Sequence, residues 1–193
     1  MIACLGLPNL RDMSYHPMMT KSKTTKKAAA KTAPAPSLLP SRHDLSVKQR
    51  EKLVRLLEPI LAAELDLISQ CQQAHWNVRG PRFLTLHELF DKLAALVEPF
   101  VDDTAERAAA LGGLVHGTLR AAAAASPLPE PPASSDEAVI LTSLRDSFAI
   151  AAAHARAAVD AADDRGDTGT ADLLTGLSRA LDQGLWFLDA HLG

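Results

Sequence analysis

From Ser46 onward, apolar and polar residues alternate with the rhythm of helices rather than strands. Leu53, Leu57, Ile60, Leu61, Leu65, Ile68 and Cys71 recur at three- and four-residue spacing, which is one face of an α-helix. Ser46 followed by Gln49 is a capping-box pattern, so this helix is predicted to open at Ser46. It should run to about Asn77 and end near Gly80-Pro81. A second helix is predicted from about Arg82 to Leu111, stopped by Gly112-Gly113. A third starts near Ser134, with Glu137 completing another capping box, and stops before Gly166. A fourth runs from about Thr168 to Leu192.

Connection lengths set the topology. The first–second and third–fourth links are a few residues each, so each pair should be an antiparallel hairpin. The middle link, Gly112 to Ala133, is 22 residues long and holds an alanine run and Pro127, Pro129, Pro131 and Pro132. The expectation is an all-α, four-helix bundle with one long crossover, and the alanines at 121–125 are expected to form a short helix within it. Pro99 falls inside the second helix, where it removes a backbone hydrogen bond and should kink the helix, at ~3 kcal/mol unless packing accommodates it.

Composition agrees and adds an asymmetry. Apolar residues make up 47% and charged residues 22%, enough for a packed core. Aromatics at 4% argue against a base-stacking platform, and two cysteines, Cys4 and Cys71, exclude a disulfide scaffold or an all-cysteine metal site. No apolar run approaches the ~20 residues of a membrane span. Residues 1–44 carry seven basic and two acidic side chains, whereas residues 45–193 carry thirteen and twenty-one. A basic tail at +5 therefore precedes an acidic body at −8. Residues 1–44 are expected to be a disordered tail, with Thr20 to Pro40 mostly Lys, Thr, Ser, Ala and Pro, ahead of a bundle over residues 45–193; Met13, Met18 or Met19 are alternative starts.

Five potential metal ligands stand out: His75, His87, Asp91, Asp102 and Glu106. His87 and Asp91 share a helix face, as do Asp102 and Glu106, and the step from 91 to 102 is about three turns, so all four lie on one stripe. His75 sits just before the turn, where it can fold back beside His87. The midpoints of the two pairs are ~22 Å apart along the helix, whereas ligand bonds are ~2 Å, so one ion cannot bridge them. If two copies of the helix pack antiparallel about a two-fold axis, His87 and Asp91 of one face Asp102 and Glu106 of the other. Two equivalent intersubunit sites result, and the protein is then an obligate oligomer. Imidazole plus carboxylate without thiolate suits Fe(II), Mn(II) or Zn(II). Taken singly, such pairs are also common on solvated helix faces. His116, His154 and His191 fit no such pattern, and Cys71, Trp76 and Trp186 suit core or interface positions. No histidine has a glutamate three residues before it, so the internal Glu-x-x-His di-iron site of ordinary ferritins is absent.

His75-Trp76-Asn77-Val78-Arg79-Gly80-Pro81, Phe83, Leu86-His87-Glu88, Asp91, Asp102, Ala105-Glu106-Arg107 and Leu111-Gly112-Gly113 together resemble the Dps family, the mini-ferritins of starved bacteria. Thr170-Ala171-Asp172, Leu177-Ser178-Arg179, Leu181-Asp182 and Leu185-Trp186-Phe187-Leu188 extend the likeness over about residues 45–192. The resemblance implies a ferritin-like bundle assembled as a hollow, cytoplasmic dodecamer that oxidises Fe(II), typically with hydrogen peroxide, and stores ferric mineral. It implies that His75, His87 and Asp91 come from one subunit and Asp102 and Glu106 from its two-fold partner, with Trp76 as the aromatic beside the site. Lys21, Lys23, Lys26, Lys27 and Lys31 resemble the tail through which many members bind DNA without sequence preference; a solubilising end is the plain alternative. Asp160, Asp163, Asp164 and Asp167 fall near the family's carboxylate-lined three-fold pore, or else are a solvated helix end. Glu88 is a candidate for mineral nucleation. The rival function is nucleoid compaction through the tail with little iron oxidation.

Overall fold

A computed structural model describes residues 38–193. Cys4 and the five tail lysines, Lys21, Lys23, Lys26, Lys27 and Lys31, lie outside the described residues. Five helices follow in order: α1 (Val47–Asn77), α2 (Phe83–Ala110), α3 (Leu119–Ala125), α4 (Glu137–Asp163) and α5 (Thr168–Leu192). α1 and α2 form one hairpin, α4 and α5 another, and the crossover between them carries α3, formed by the alanine run. No described helix is long and apolar enough to cross a membrane.

Local chemistry sets the boundaries. Ser46 caps α1, its hydroxyl accepting from the Gln49 amide while the Gln49 side chain accepts from the Ser46 amide. The turn into α2 passes through Gly80 at φ +148°, where a Cβ would also lie 2.5 Å from the Glu137 carboxylate. Only glycine fits there. α4 opens differently from the sequence expectation. Its cap is Asp136, which accepts from the amides of Ala138 and Val139, while Ser134 accepts from the Asp136 amide one turn earlier. Glu137 completes no capping box; it accepts instead from the Arg82 amide and guanidinium. Arg82 also donates to the carbonyl of His191, so one side chain ties the start of α2 to the start of α4 and the end of α5.

The core seam of α1 runs Leu53, Leu57, Ile60, Glu64, Leu67, Cys71, Ala74, all buried. Leu65 and Ile68, which the apolar pattern assigns to the core stripe, are only half-buried. Leu65 lies with Leu61 under Gly117, just ahead of α3. Phe90, Leu93 and Val97 of α2, Leu141, Leu144 and Phe148 of α4, and Leu174, Leu177 and Leu181 of α5 complete the core. α2 continues unbroken across Pro99, and α1 across Pro59. The carbonyls these prolines leave without an amide belong to Arg55 and Ala95, both exposed residues, so water can satisfy them.

Candidate metal centre

The short α1–α2 turn brings His75 and His87 together. Their rings stack with centroids 3.5 Å apart and planes 24° off parallel. Each ring is held by the other residue's backbone: His75 Nδ1 lies 3.0 Å from the His87 carbonyl, and His87 Nδ1 lies 2.9 Å from the His75 carbonyl. A carbonyl can only accept, so each Nδ1 carries the proton, and Nε2 is left as the lone-pair nitrogen of the neutral ring. Fixing the tautomer through the far nitrogen is how proteins orient histidines for metals. His75 Nδ1 also lies 2.9 Å from Asp91 Oδ1; the imidazole is 19% exposed and the carboxylate 67%. His75 therefore touches both His87 and Asp91.

Asp102 and Glu106 do not join them. They are exposed, further along the same outward face of α2 that carries Leu84, Glu88, Asp91, Ala95 and Pro99. Among the described residues, no three His, Cys, Asp or Glu side chains of one chain gather closely enough to hold a metal ion. The half-sites stay apart, as helix rise requires.

The aromatic residues divide. Trp76, one position beyond His75, is 68% exposed and lines a shallow groove with Gln73, Asn77, Arg79 and residues 133–135. Trp186 is likewise exposed rather than in the core. The ring that meets the imidazole pair is Phe83, 5.1 Å from His87. His116 and His154 are exposed, and the His191 ring bonds the Phe187 carbonyl. Cys71 is fully buried, and burial pushes its thiol pKa far up, which suits packing.

The four aspartates at the α4–α5 turn also divide. Asp160, Asp163 and Asp164 are exposed, but Asp167 is buried. Asp167 caps α5, accepting from the Thr170 amide and hydroxyl, and pairs with Arg107 of α2 at 2.5 Å. Burial alone would raise its pKa; the Thr170 bonds and the Arg107 charge outweigh that and hold the carboxyl below its usual range. Its carboxylate is engaged within the fold and does not share the others' exposure.

Two features escaped sequence reasoning. Glu64, in the α1 seam, is buried and accepts from the Thr104 hydroxyl of α2 at 2.9 Å. Gln70, six residues on, accepts from the Ser147 hydroxyl of α4 at 2.8 Å. Both are polar groups at heptad positions where a pattern search expects apolar ones.

Residues 54–193 match the Ferritin family model, described as a ferritin-like domain. A DNA protection during starvation protein of Agrobacterium fabrum is 36% identical over 155 residues, spanning 79% of this chain and 94% of the relative. Among solved structures, DpsC from Streptomyces coelicolor aligns with a TM-score of 0.78 at 28% identity, covering 85% of this chain and 96% of that one. A Dps protein from Vibrio cholerae, described as a member of a broad superfamily of ferritin-like diiron-carboxylate proteins, aligns at 0.73 and 26% identity, covering 84% and 100%.

Proposed function

The chain belongs to the Dps family of ferritin-like proteins, and from that premise we propose that it oxidises Fe(II) at centres formed between protomers and stores the ferric product in a dodecameric shell. The observation that carries this reading is the division of α2. A locked imidazole pair with Asp91 stands at one end of its exposed face, and two further carboxylates stand on the same face at the other. Antiparallel contact of two such faces brings His75, His87 and Asp91 of one protomer against Asp102 and Glu106 of its partner. The Vibrio cholerae relative, described as a member of a superfamily of diiron-carboxylate proteins, supports iron as the substrate.

The donor set suits the chemistry. Two Fe(II) ions held together each give one electron to hydrogen peroxide. Its O–O bond breaks, two hydroxide ions leave, and no hydroxyl radical is released. Carboxylates favour the Fe(III) produced, and Glu88, exposed on α2, would take ferric ions into mineral. Trp76, the residue after His75, would give an electron to the centre or take one from it. Asp160, Asp163 and Asp164 surround the C-terminal end of α4, where negative charge opposes the helix dipole. They do not stabilise that end, which favours a role in guiding cations inward.

The tail lysines Lys21, Lys23, Lys26, Lys27 and Lys31 would pair with DNA phosphates in a salt-sensitive way, and many tails on one particle would add avidity. A cytoplasmic location follows from that pairing.

The test is ferric absorbance after mixing Fe(II) with peroxide, comparing wild type with His75→Ala/His87→Ala. The double variant should lose at least ~100-fold in initial rate, since even outer residues of metal sites cost up to that much. Equal rates would remove the site. Light scattering checks assembly, and a monomeric mass would leave every centre half-built. Deleting residues 1–40 should abolish gel retardation of DNA and spare iron oxidation; if oxidation instead proves negligible in the intact protein, compaction through the tail is its main role.

A further inference from the structure

Glu64 breaks the pattern of the α1 seam. It lies between Ile60 and Leu67 in a run of core residues, is 3% exposed, and bonds one partner, the Thr104 hydroxyl. Its Oε2 meets no donor among the described residues. Burial, and secondarily the nearby Asp103 charge, push its carboxyl pKa well up, while the Thr104 bond opposes them. A Leu–Val pair would fill this place without an unmet polar atom.

Thr104 explains why a directional contact is useful here. It is fully buried and stands two residues from Asp102 and two from Glu106, both exposed. At ~100° per residue it points ~160° away from each, so the hydrogen bond and the two carboxylates sit on opposite sides of α2. Turning α2 by ~10° moves a group ~6 Å from its axis by ~1 Å, several times the ~0.2 Å tolerance of a metal bond. Apolar contacts allow small rotations, whereas a buried hydrogen bond resists them. We propose that Glu64, acting through Thr104, is a positioning residue that fixes the rotation of α2 and so aims Asp102 and Glu106 across the protomer contact. The inference rests on the reading of those two carboxylates as metal ligands. It also accounts for the unmet Oε2, since local rules are broken where function requires it.

The experiment compares full-length Glu64→Gln, Glu64→Leu, Thr104→Val and Asp102→Asn with wild type. Four quantities are measured: urea midpoint, particle mass, anaerobic Fe(II) binding by calorimetry, and peroxide-driven oxidation. Glu64→Leu and Thr104→Val should both assemble; Glu64→Leu should resist urea at least as well as wild type, whereas Thr104→Val, which strands the buried Glu64 carboxyl without its donor, should unfold at somewhat lower urea. They should nevertheless bind Fe(II) at least ~tenfold more weakly and oxidise it at least ~tenfold more slowly at saturation, as a ~1 Å misplacement does. Glu64→Gln keeps the acceptor oxygen and should restore wild-type binding and rate. Wild-type binding in Glu64→Leu and Thr104→Val overturns the proposal, as does a loss that tracks stability and appears equally in Glu64→Gln. If Glu64→Leu fails to fold, the near-isosteric Thr104→Val decides. Normal Fe(II) binding by Asp102→Asn refutes the ligand reading itself and leaves Glu64 nothing to aim.

Discussion

Replacing Asp167 by alanine tests how the two hairpins are joined. One carboxylate does two jobs: it caps α5 through Thr170 and pairs with Arg107, which reaches from the last turns of α2. Loss of the cap should cost ~1 kcal/mol. Breaking a buried ion pair costs ~3–5 kcal/mol when the remaining charge stays trapped. Arg107 keeps 23% of its side-chain surface exposed, so its guanidinium can turn toward water, and ~2 kcal/mol is the better figure for this pair. Asp167→Ala should therefore lose ~3 kcal/mol in all. Asp167→Asn keeps the oxygen that caps α5 and should lose ~2 kcal/mol. Urea unfolding followed by circular dichroism reads both, at one protein concentration because assembly contributes to apparent stability. A cycle with Arg107→Met should show a coupling of ~1–2 kcal/mol. The pH dependence has a definite sign. The folded pKa of Asp167 is depressed, so its contribution is present above the unfolded value and is lost as pH falls through the folded one. The alanine variant should lack that part of acid sensitivity. An alanine cost under ~1 kcal/mol, or no coupling to Arg107, would refute the two-job assignment.

Three further outcomes follow from packing and charge. In a Cys4→Ser background, Cys71 should resist a thiol reagent in the folded protein and react on unfolding in denaturant, because burial disfavours its thiolate; rapid stoichiometric labelling of that variant without denaturant would contradict this. Gly184→Ala should destabilise by ~1–3 kcal/mol, since a Cβ there would lie 2.4 Å from the Phe148 ring; an unchanged urea midpoint would mean the ring moves freely. Glu64 should have the opposite pH sign to Asp167. Its folded pKa is raised, so wild type loses stability as pH rises from the unfolded value near ~4.3 toward the folded one, and Glu64→Gln should gain on it over that window. A stability gap that stays constant with pH would show that Glu64 titrates normally.

Much of the bundle could be read from sequence because helix spacing is geometry written in residue numbers. The capping box at Ser46, the glycines after Leu111 and the short links before α2 and α5 each have a local cause, and each element appears where that cause places it. The cap of α4 was harder to assign, because Ser134 and Asp136 offer the same chemistry two residues apart. Asp136 takes the role once Glu137 is drawn away by Arg82, a residue 55 positions earlier. Long-range partners of this kind leave no periodic trace. The same holds within α1: Leu65 and Ile68 carry the visible apolar rhythm, yet the seam passes through Glu64 and Leu67.

The candidate metal centre divides along the same line. His75, His87 and Asp91 could be placed near one another from spacing because a short turn leaves little freedom, and the structure shows His75 in contact with each of the other two. Spacing puts Asp102 and Glu106 on the same face, and their distance from the histidines along α2 points to a partner protomer; a single chain displays the face alone. Glu64 could not be found by searching for exposed ligands or apolar stripes, being neither. What marks it is the pairing of a buried carboxyl with a buried hydroxyl on the helix that bears the two distant carboxylates. A core that accepts a polar pin at that level trades some packing for a fixed helix rotation. In a centre shared between protomers this matters more than in one held by a single chain, because an error in the rotation of α2 recurs at both ends of the contact.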